Sequence, residues 1–511
     1  MADTTPDPTD WTRNKASHLL FRAGFGGKPG EIDDFAKRGL SASLDALLSG
    51  PTRELPVPAW LEEDKKLDPR QLRMMSKEEK QKLQMIARQH MREMVGGWVK
   101  FMMDAPTPAD MLHERMVFFW HGHFATSVQK VQATPFVYNQ LKLFHDKSLG
   151  NFGDLLHAIV RDPAMLRYLD NDQNRKGKPN ENLARELMEL FSLGVGNYTE
   201  DDIREGARAL TGWGIEPYQF VFRPRAHDDG EKTIFGKKGN FDGDQFTNLI
   251  LEQPACAEFM ARKLWVYFAS ENPKKEVIHE LASKFRESKY DIKTLLRAVF
   301  SHPEFYSPEV IGSQIKSPIQ LVVGTARTLG LTASKLELYG RMLLMMGQVP
   351  YAPPNVKGWP GGRTWIDTSR LVTRYTFAEI IAKGRIPSEI DPRQQGDAEL
   401  VQNEMPAEMD RETKTEEPRE QRKQLSKGQR KTMLPRNLRV DFDASKLAGA
   451  QLSVEETVDK ITRLLLPVAP SEGERKNLVK TLEKNLADSP REEALQILVG
   501  QIMLLPAYQL C

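Results

Sequence analysis

Three apolar stretches of this chain end in the same way, and that shared ending limits what the chain can fold into. Residues 155–163 run Leu155-Leu156-His157-Ala158-Ile159-Val160-Arg161-Asp162-Pro163. Residues 295–303 run Leu295-Leu296-Arg297-Ala298-Val299-Phe300-Ser301-His302-Pro303, and residues 498–506 repeat the pattern loosely. Each is an apolar run at helical spacing halted by a proline, whose missing N–H and ring clash forbid continuation. Two readings stand: a helix-stop device used three times, or a repeated helical unit whose last copy ties the final helix to the main body.

Helical signals dominate elsewhere. Leu19, Leu20 and Phe21 precede a glycine-rich turn at residues 24–27, and Ile32, Phe35, Leu40, Leu44, Leu47 and Leu48 place one helix over about 31–48. Thr199 with Asp202, Ser453 with Glu456, Ser471 with Glu474 and Ser489 with Glu492 have the spacing of helix-starting capping boxes, and Pro490 sits where a first helical residue belongs. Asp242-Gly243-Asp244 reads as a turn and N-cap. Strand signal is confined to residues 219–222 and 232–235, which flank a turn at 227–230 and predict one β-hairpin over about 219–236. The expected class is mainly α: a multi-helix, bundle-like body with a small β-hairpin and charged insertions. The main body spans 1–385, with 52–95 a charged helical insertion. Residues 386–440 form a charged linker or mobile insertion, with eight Lys or Arg against one Glu between 419 and 439, and residues 441–511 supply C-terminal helices packing on the main body.

Several function classes recede. With 72 basic against 70 acidic residues the net charge is +2, unlike a chain whose main partner is nucleic acid. Cys256 and Cys511 are the only cysteines, too few for a disulfide framework or a thiolate zinc site. No run of about 18 apolar residues predicts a membrane span. Residues 1–10 lack the basic start and apolar run of a secretory signal, so a cytoplasmic protein is expected. Residues 24–27 lack the spacing of a dinucleotide fingerprint, and no P-loop, H-E-x-x-H or G-x-S-x-G pattern occurs.

Six longer motifs follow in order: residues 18–26 (HLLFRAGFG), 114–124 (ERMVFFWHGHF), 180–191 (NENLARELMELF), 207–213 (ARALTGW), 227–230 (HDDG) and 353–360 (PPNVKGWP). In these the chain resembles, over nearly its whole length, the bacterial family catalogued as domain of unknown function 1800. The resemblance implies no reaction. It does imply a neighbourhood, since members are often encoded beside a sulfatase-like, frequently exported protein, a candidate partner, and many relatives are themselves exported.

The motifs concentrate His, Asp, Glu and Arg, the residue types that acid–base work needs. His121, His123 and Glu189 are metal-ligand candidates, although residues two apart on a helix point about 200° apart, so both imidazoles reach one ion only if the helix has ended by Trp120. Otherwise they are structural, with Glu114 and Arg115 orienting them. Asp170, Asp172, Asn174 and Glu181 occupy positions 1, 3, 5 and 12 of a calcium-loop pattern, an alternative metal site. Arg175 stands where that loop needs Gly, so the competing expectation is Asx turns with Asn180 capping the next helix. On that helix Leu183, Leu187, Leu190 and Phe191 form the apolar face. Glu181, Asn182, Arg185, Glu186 and Glu189 form the opposite arc, either a solvated surface or a catalytic face using Glu186 and Arg185. His227 with Asp229 is a candidate base and orienting carboxylate, and turn chemistry is the competing account. Trp213 and Trp359 are candidate substrate walls or packing anchors. The leading expectation is an acid–base or metal-assisted enzyme, hydrolase-like, with a divalent metal ion as the candidate cofactor. The alternative is a noncatalytic helical scaffold for a protein partner such as the sulfatase-like neighbour.

Overall fold

In the computed structural model the described residues are 11–28, 30–49, 53–65, 74–331, 336–383, 443–448 and 452–511. The linker expected over 386–440 lies outside them. Helices start where the sequence offers caps. Ser76 with Glu79, Thr107 with Asp110, Thr199 with Asp202, Asp242 with Gln245, Ser317 with Gln320, Ser453 with Glu456 and Ser471 with Glu474 all form reciprocal capping boxes. Each satisfies two backbone groups that a helix end leaves unpaired, worth about 1 kcal/mol. The expected Ser489 box does not form: Pro490 is the N-cap of Arg491–Met503, and Glu492 instead accepts from the Ala444 and Ser445 amides. The single helix expected over 31–48 is two, Glu31–Arg38 and Leu40–Leu48, because Gly39 turns the chain at φ 79°.

The prolines that stop helices also start the next turn. Pro163 opens Pro163–Tyr168 and Pro303 opens Pro303–Tyr306, while Pro506 opens Pro506–Gln509. The helices of the first two copies meet at their starts. Asn151 and Asp291 cap their helices, and the chains exchange hydrogen bonds there, Phe152 N–H to Tyr290 O and Ile292 N–H to Gly150 O, both 2.9 Å. The helix of the third copy, Arg491–Met503, packs on Thr368–Lys383 with Gly500 against Ala382.

Pro108–His123 runs through the core: every residue from Ala109 to His121 is buried, as is His123. A helix buried all round carries whatever polar groups it has into the interior, and this one carries Asp110, His113, Glu114, Arg115, His121 and His123. Lys77–Met103 reaches the core only with its second half, Met94 to Met103, and leaves its first half exposed. The two predicted strand segments form but do not pair with each other. Trp213–Ile215 pairs with Phe220–Phe222, and Lys232–Ile234 pairs with Lys237–Gly239, both antiparallel. The nearer partner wins because closing a short turn costs least: Phe235 and Gly236, at φ 49° and 75°, make a tight hairpin turn of the hand that suits strand twist. No helix among the described residues is long and apolar enough to cross a membrane.

Candidate functional site

The Pro108–His123 helix continues through His123, so its last two histidines point apart. His121 accepts the Tyr351 amide at Nε2, 2.8 Å away, which leaves its proton on Nδ1. That bond holds Tyr351 in a left-handed conformation, φ 66°, at the start of a loop running to Trp365. His123 Nε2 lies 3.0 Å from Phe191 O and donates to it. Burial lowers both imidazoles to about 3, with Lys263 beside His123 adding to the effect there. Both rings are neutral and each has committed its Nε2 to backbone, so neither offers that nitrogen to an ion shared with Glu189. Glu114 and Arg115 do not orient them. Arg115 lies over the Tyr267 ring at 4.4 Å, and Glu114 belongs to a different cluster described below.

Around this helix end three distant motifs close together. Gly358 (φ 75°) lies directly on the Gly122 carbonyl, where any side chain would collide with backbone. Trp359 stacks on Phe118 (5.5 Å, 13°) and meets His121 edge-on. From the other side comes the helix Asn182–Glu186, which widens into a π-helical turn, Leu187–Ser192, contributing the Phe191 carbonyl to His123. Single π turns are rare and concentrate at functional sites.

The polar arc of that segment is neither fully solvated nor fully enclosed. Glu181, Arg185, Glu186 and Glu189 are all partly buried. Arg185 reaches outward to Glu200 (2.8 and 2.9 Å) and back to Glu181 (3.1 Å). Glu189 accepts the Tyr198 hydroxyl at 2.9 Å. Glu186 is pushed above the usual carboxylate range, first by burial and then by Glu189, with Lys357 and Arg185 pulling it back. Lys357, Tyr198 and Lys263 were not singled out from sequence, because nothing in their spacing ties them to this helix.

Other expected site residues lie elsewhere. His227 donates Nδ1–H to Thr211 O at 2.9 Å, and Asp229 pairs with Lys176 while Asp228 pairs with Arg208. Among the described residues no hydrogen bond joins His227 to either carboxylate. Trp213 is buried against Gly243 and Phe220. In the loop with calcium-like spacing, Asp170 pairs with Lys130, Asn174 accepts the Asn180 amide through Oδ1, and Glu181 is held by Arg185. Asn180 Oδ1 accepts the Asn182 amide, the Asx turn expected there.

Among the described residues only one group of three His, Cys, Asp or Glu side chains has converging ligand atoms, and it lies in the first half of the same helix: His113, Glu114 and, from Thr134–Lys147, His145. Glu114 is singled out from sequence and His113 is not, although the two are adjacent in the chain. The third member lies 32 residues away, at a separation that no motif encodes.

No curated protein and no solved structure matches the chain. One family does: its sequence model, described as a protein of unknown function (DUF1800), matches residues 18–510.

Proposed function

We propose that this chain, which belongs to the DUF1800 family, is an acid–base enzyme of hydrolase type working on the Glu186–Glu189 face. The observation that carries the reading is the state of Glu186, a partly buried carboxyl raised by burial and by a second carboxylate, on the rim where three distant motifs meet. A carboxyl that keeps its proton closer to neutrality can deliver it to a leaving group, while a neighbouring carboxylate takes a proton from attacking water. Glu186 is assigned the first role and Glu189, oriented by Tyr198, the second. Lys357 offers charge to an anionic portion of the substrate, and Trp359 offers an apolar wall. Arg185 positions the face through Glu181 and Glu200. His121 and His123 are positioning residues that fix the loop and the π turn.

The test is hydrolysis of chromogenic carboxylic esters, phosphate monoesters and glycosides by the wild-type chain, Glu186→Gln and Glu189→Gln. One substrate class should be turned over, with kcat falling on the order of 100-fold or more in Glu186→Gln. No turnover of any class, or a Glu186→Gln variant equal to wild type, removes the reading. A second reading, a scaffold for a protein partner such as a sulfatase-like neighbour, is favoured by apolar side chains exposed on and just before the Lys77–Met103 helix, Met74 (89%) and Met85 (53%). Co-purification with that neighbour, lost in Met85→Glu, tests it.

A further inference from the structure

The cluster His113, Glu114 and His145 is fully interior, with exposures of 3%, 1% and 6%. Its hydrogen bonds stop one short at two of the three centres, Glu114 and His145. His113 donates Nε2–H to His145 O at 2.8 Å, which makes Nδ1 the unprotonated nitrogen and a lone-pair donor. Glu114 Oε2 accepts the Trp98 indole N–H at 2.9 Å, and its Oε1 has no hydrogen-bond partner among the described residues. His145 Nε2 likewise has none. Buried polar atoms are almost always paired, so two orphans facing each other call for a cause.

The distances supply one. Glu114 Oε1 lies 3.5 Å from His113 Nδ1 and 3.6 Å from His145 Nε2, and the three atoms fall within 4.8 Å of one another. Those separations are long for hydrogen bonds between ring nitrogens and a carboxylate. The two separations from Glu114 Oε1 suit edges of a coordination tetrahedron: ligands about 2.1 Å from one tetrahedral ion stand about 3.4 Å apart. The surroundings complete the pattern of a metal site, because the His113 backbone bond fixes the tautomer and the Trp98 bond leaves one carboxylate oxygen to bind. We infer that His113, Glu114 and His145 hold a single divalent cation of the zinc class, with two imidazoles, one carboxylate oxygen and a fourth position left for water. Mixed nitrogen and oxygen donors with no thiolate suit zinc, with manganese or iron as the competitors that metal analysis distinguishes. The site does not depend on the Glu186 face, and neither proposal falls with the other.

The experiment expresses the full chain in zinc-supplemented medium, desalts it, and measures metal per chain by elemental analysis for wild type, His145→Asn, Glu114→Gln and His279→Ala, the last removing an exposed histidine outside the cluster. The expected result is one zinc per chain in wild type and His279→Ala, with at least a tenfold loss of occupancy in the two cluster variants. Full occupancy in both cluster variants overturns the site, as does metal-free wild type of native fold. Because those variants could fail to fold, the wild-type chain grown with cobalt gives a second readout. Intense visible bands of four-coordinate cobalt support the site, and their absence in folded protein overturns it.

Discussion

Two ends of one helix treat buried histidine in opposite ways. At the C-terminal end His121 and His123 are sealed in the core, and each ring has settled its Nε2 on backbone, the Tyr351 amide and the Phe191 carbonyl. About two to three turns earlier His113 is sealed equally deeply, yet beside it Glu114 Oε1 and His145 Nε2 are left without partners. Burial alone therefore marks nothing. A satisfied imidazole is a structural pin that holds a loop or a π turn in place, and an unsatisfied set of donors is a site waiting for an ion.

The largest expected effect lies at the satisfied end. His123→Ala removes a ring stacked on Phe119 (5.6 Å, 10°) and in contact with Phe124 and Phe191, and it strips the Phe191 carbonyl of its donor. Cavity and lost hydrogen bond together should cost about 3–4 kcal/mol in urea unfolding at neutral pH. A loss below about 1 kcal/mol would break the distinction, since the pin would then be ornamental. Next comes the unsatisfied end. Zinc at a hundredfold excess over its Kd should stabilise the metal-free wild-type chain by about 2.7 kcal/mol. It should do the same for His123→Ala and nothing for His145→Asn. Equal zinc effects in both variants would erase the contrast.

Acid should unpin the C-terminal end. Burial holds His121 and His123 at about 3, against about 6.5 for an unfolded chain. Between those values the unfolded state binds more protons, so the contribution is complete above pH 6.5 and is lost as pH falls toward 3. From pH 7 to pH 5 each ring accounts for about 2 kcal/mol of lost stability. Asp162, which burial pushes up to about 7, works in the opposite sense over the same window and offsets about one of them. His18, lowered in the same way as the other two rings, adds to the loss. A net fall of about 2 kcal/mol or more between pH 7 and pH 5 is expected from urea midpoints. Ring-proton shifts of His121 and His123 that move through that range would show the rings are not sealed.

What could be read in the sequence follows the reach of the forces involved. Local chemistry was legible: the boxes at Thr199, Ser453 and Ser471 form as their spacing predicts, and the prolines at 163, 303 and 506 stop one helix and start the next turn. It failed where a different partner outbid the expected one. Glu492 is drawn from its cap to the Ala444 and Ser445 amides, and the segments at 220–222 and 232–234 find nearer strand partners. The polar sites show the same limit. Glu186 and Glu189 share a helical arc and could be grouped on periodicity alone. Lys357 joins them through a loop folded onto Gly122, and His145 joins His113 through packing of two helices, and neither approach leaves a mark at fixed spacing.

The finest cut through the comparison is Trp98, because its side chain touches both ends. Its ring packs 5.5 Å from His121 and 5.3 Å from Tyr351, while its indole N–H donates to Glu114 Oε2. Trp98→Phe keeps a smaller aromatic face toward the satisfied histidine and deletes the donor toward the unsatisfied cluster. The metal-free chain should lose about 1.5 kcal/mol, the cost of a buried carboxylate oxygen left unpaired together with a smaller ring. Zinc affinity should fall about 10–100-fold, because the carboxylate is no longer held in the orientation that presents Oε1. The two readouts separate cleanly. A stability loss with unchanged zinc affinity would mean that Trp98 merely fills space and that the cluster needs no help in aiming its carboxylate. A loss of affinity with the His121 contact intact, seen as an unaltered ring environment by NMR, would place the difference between the two ends in a single N–H.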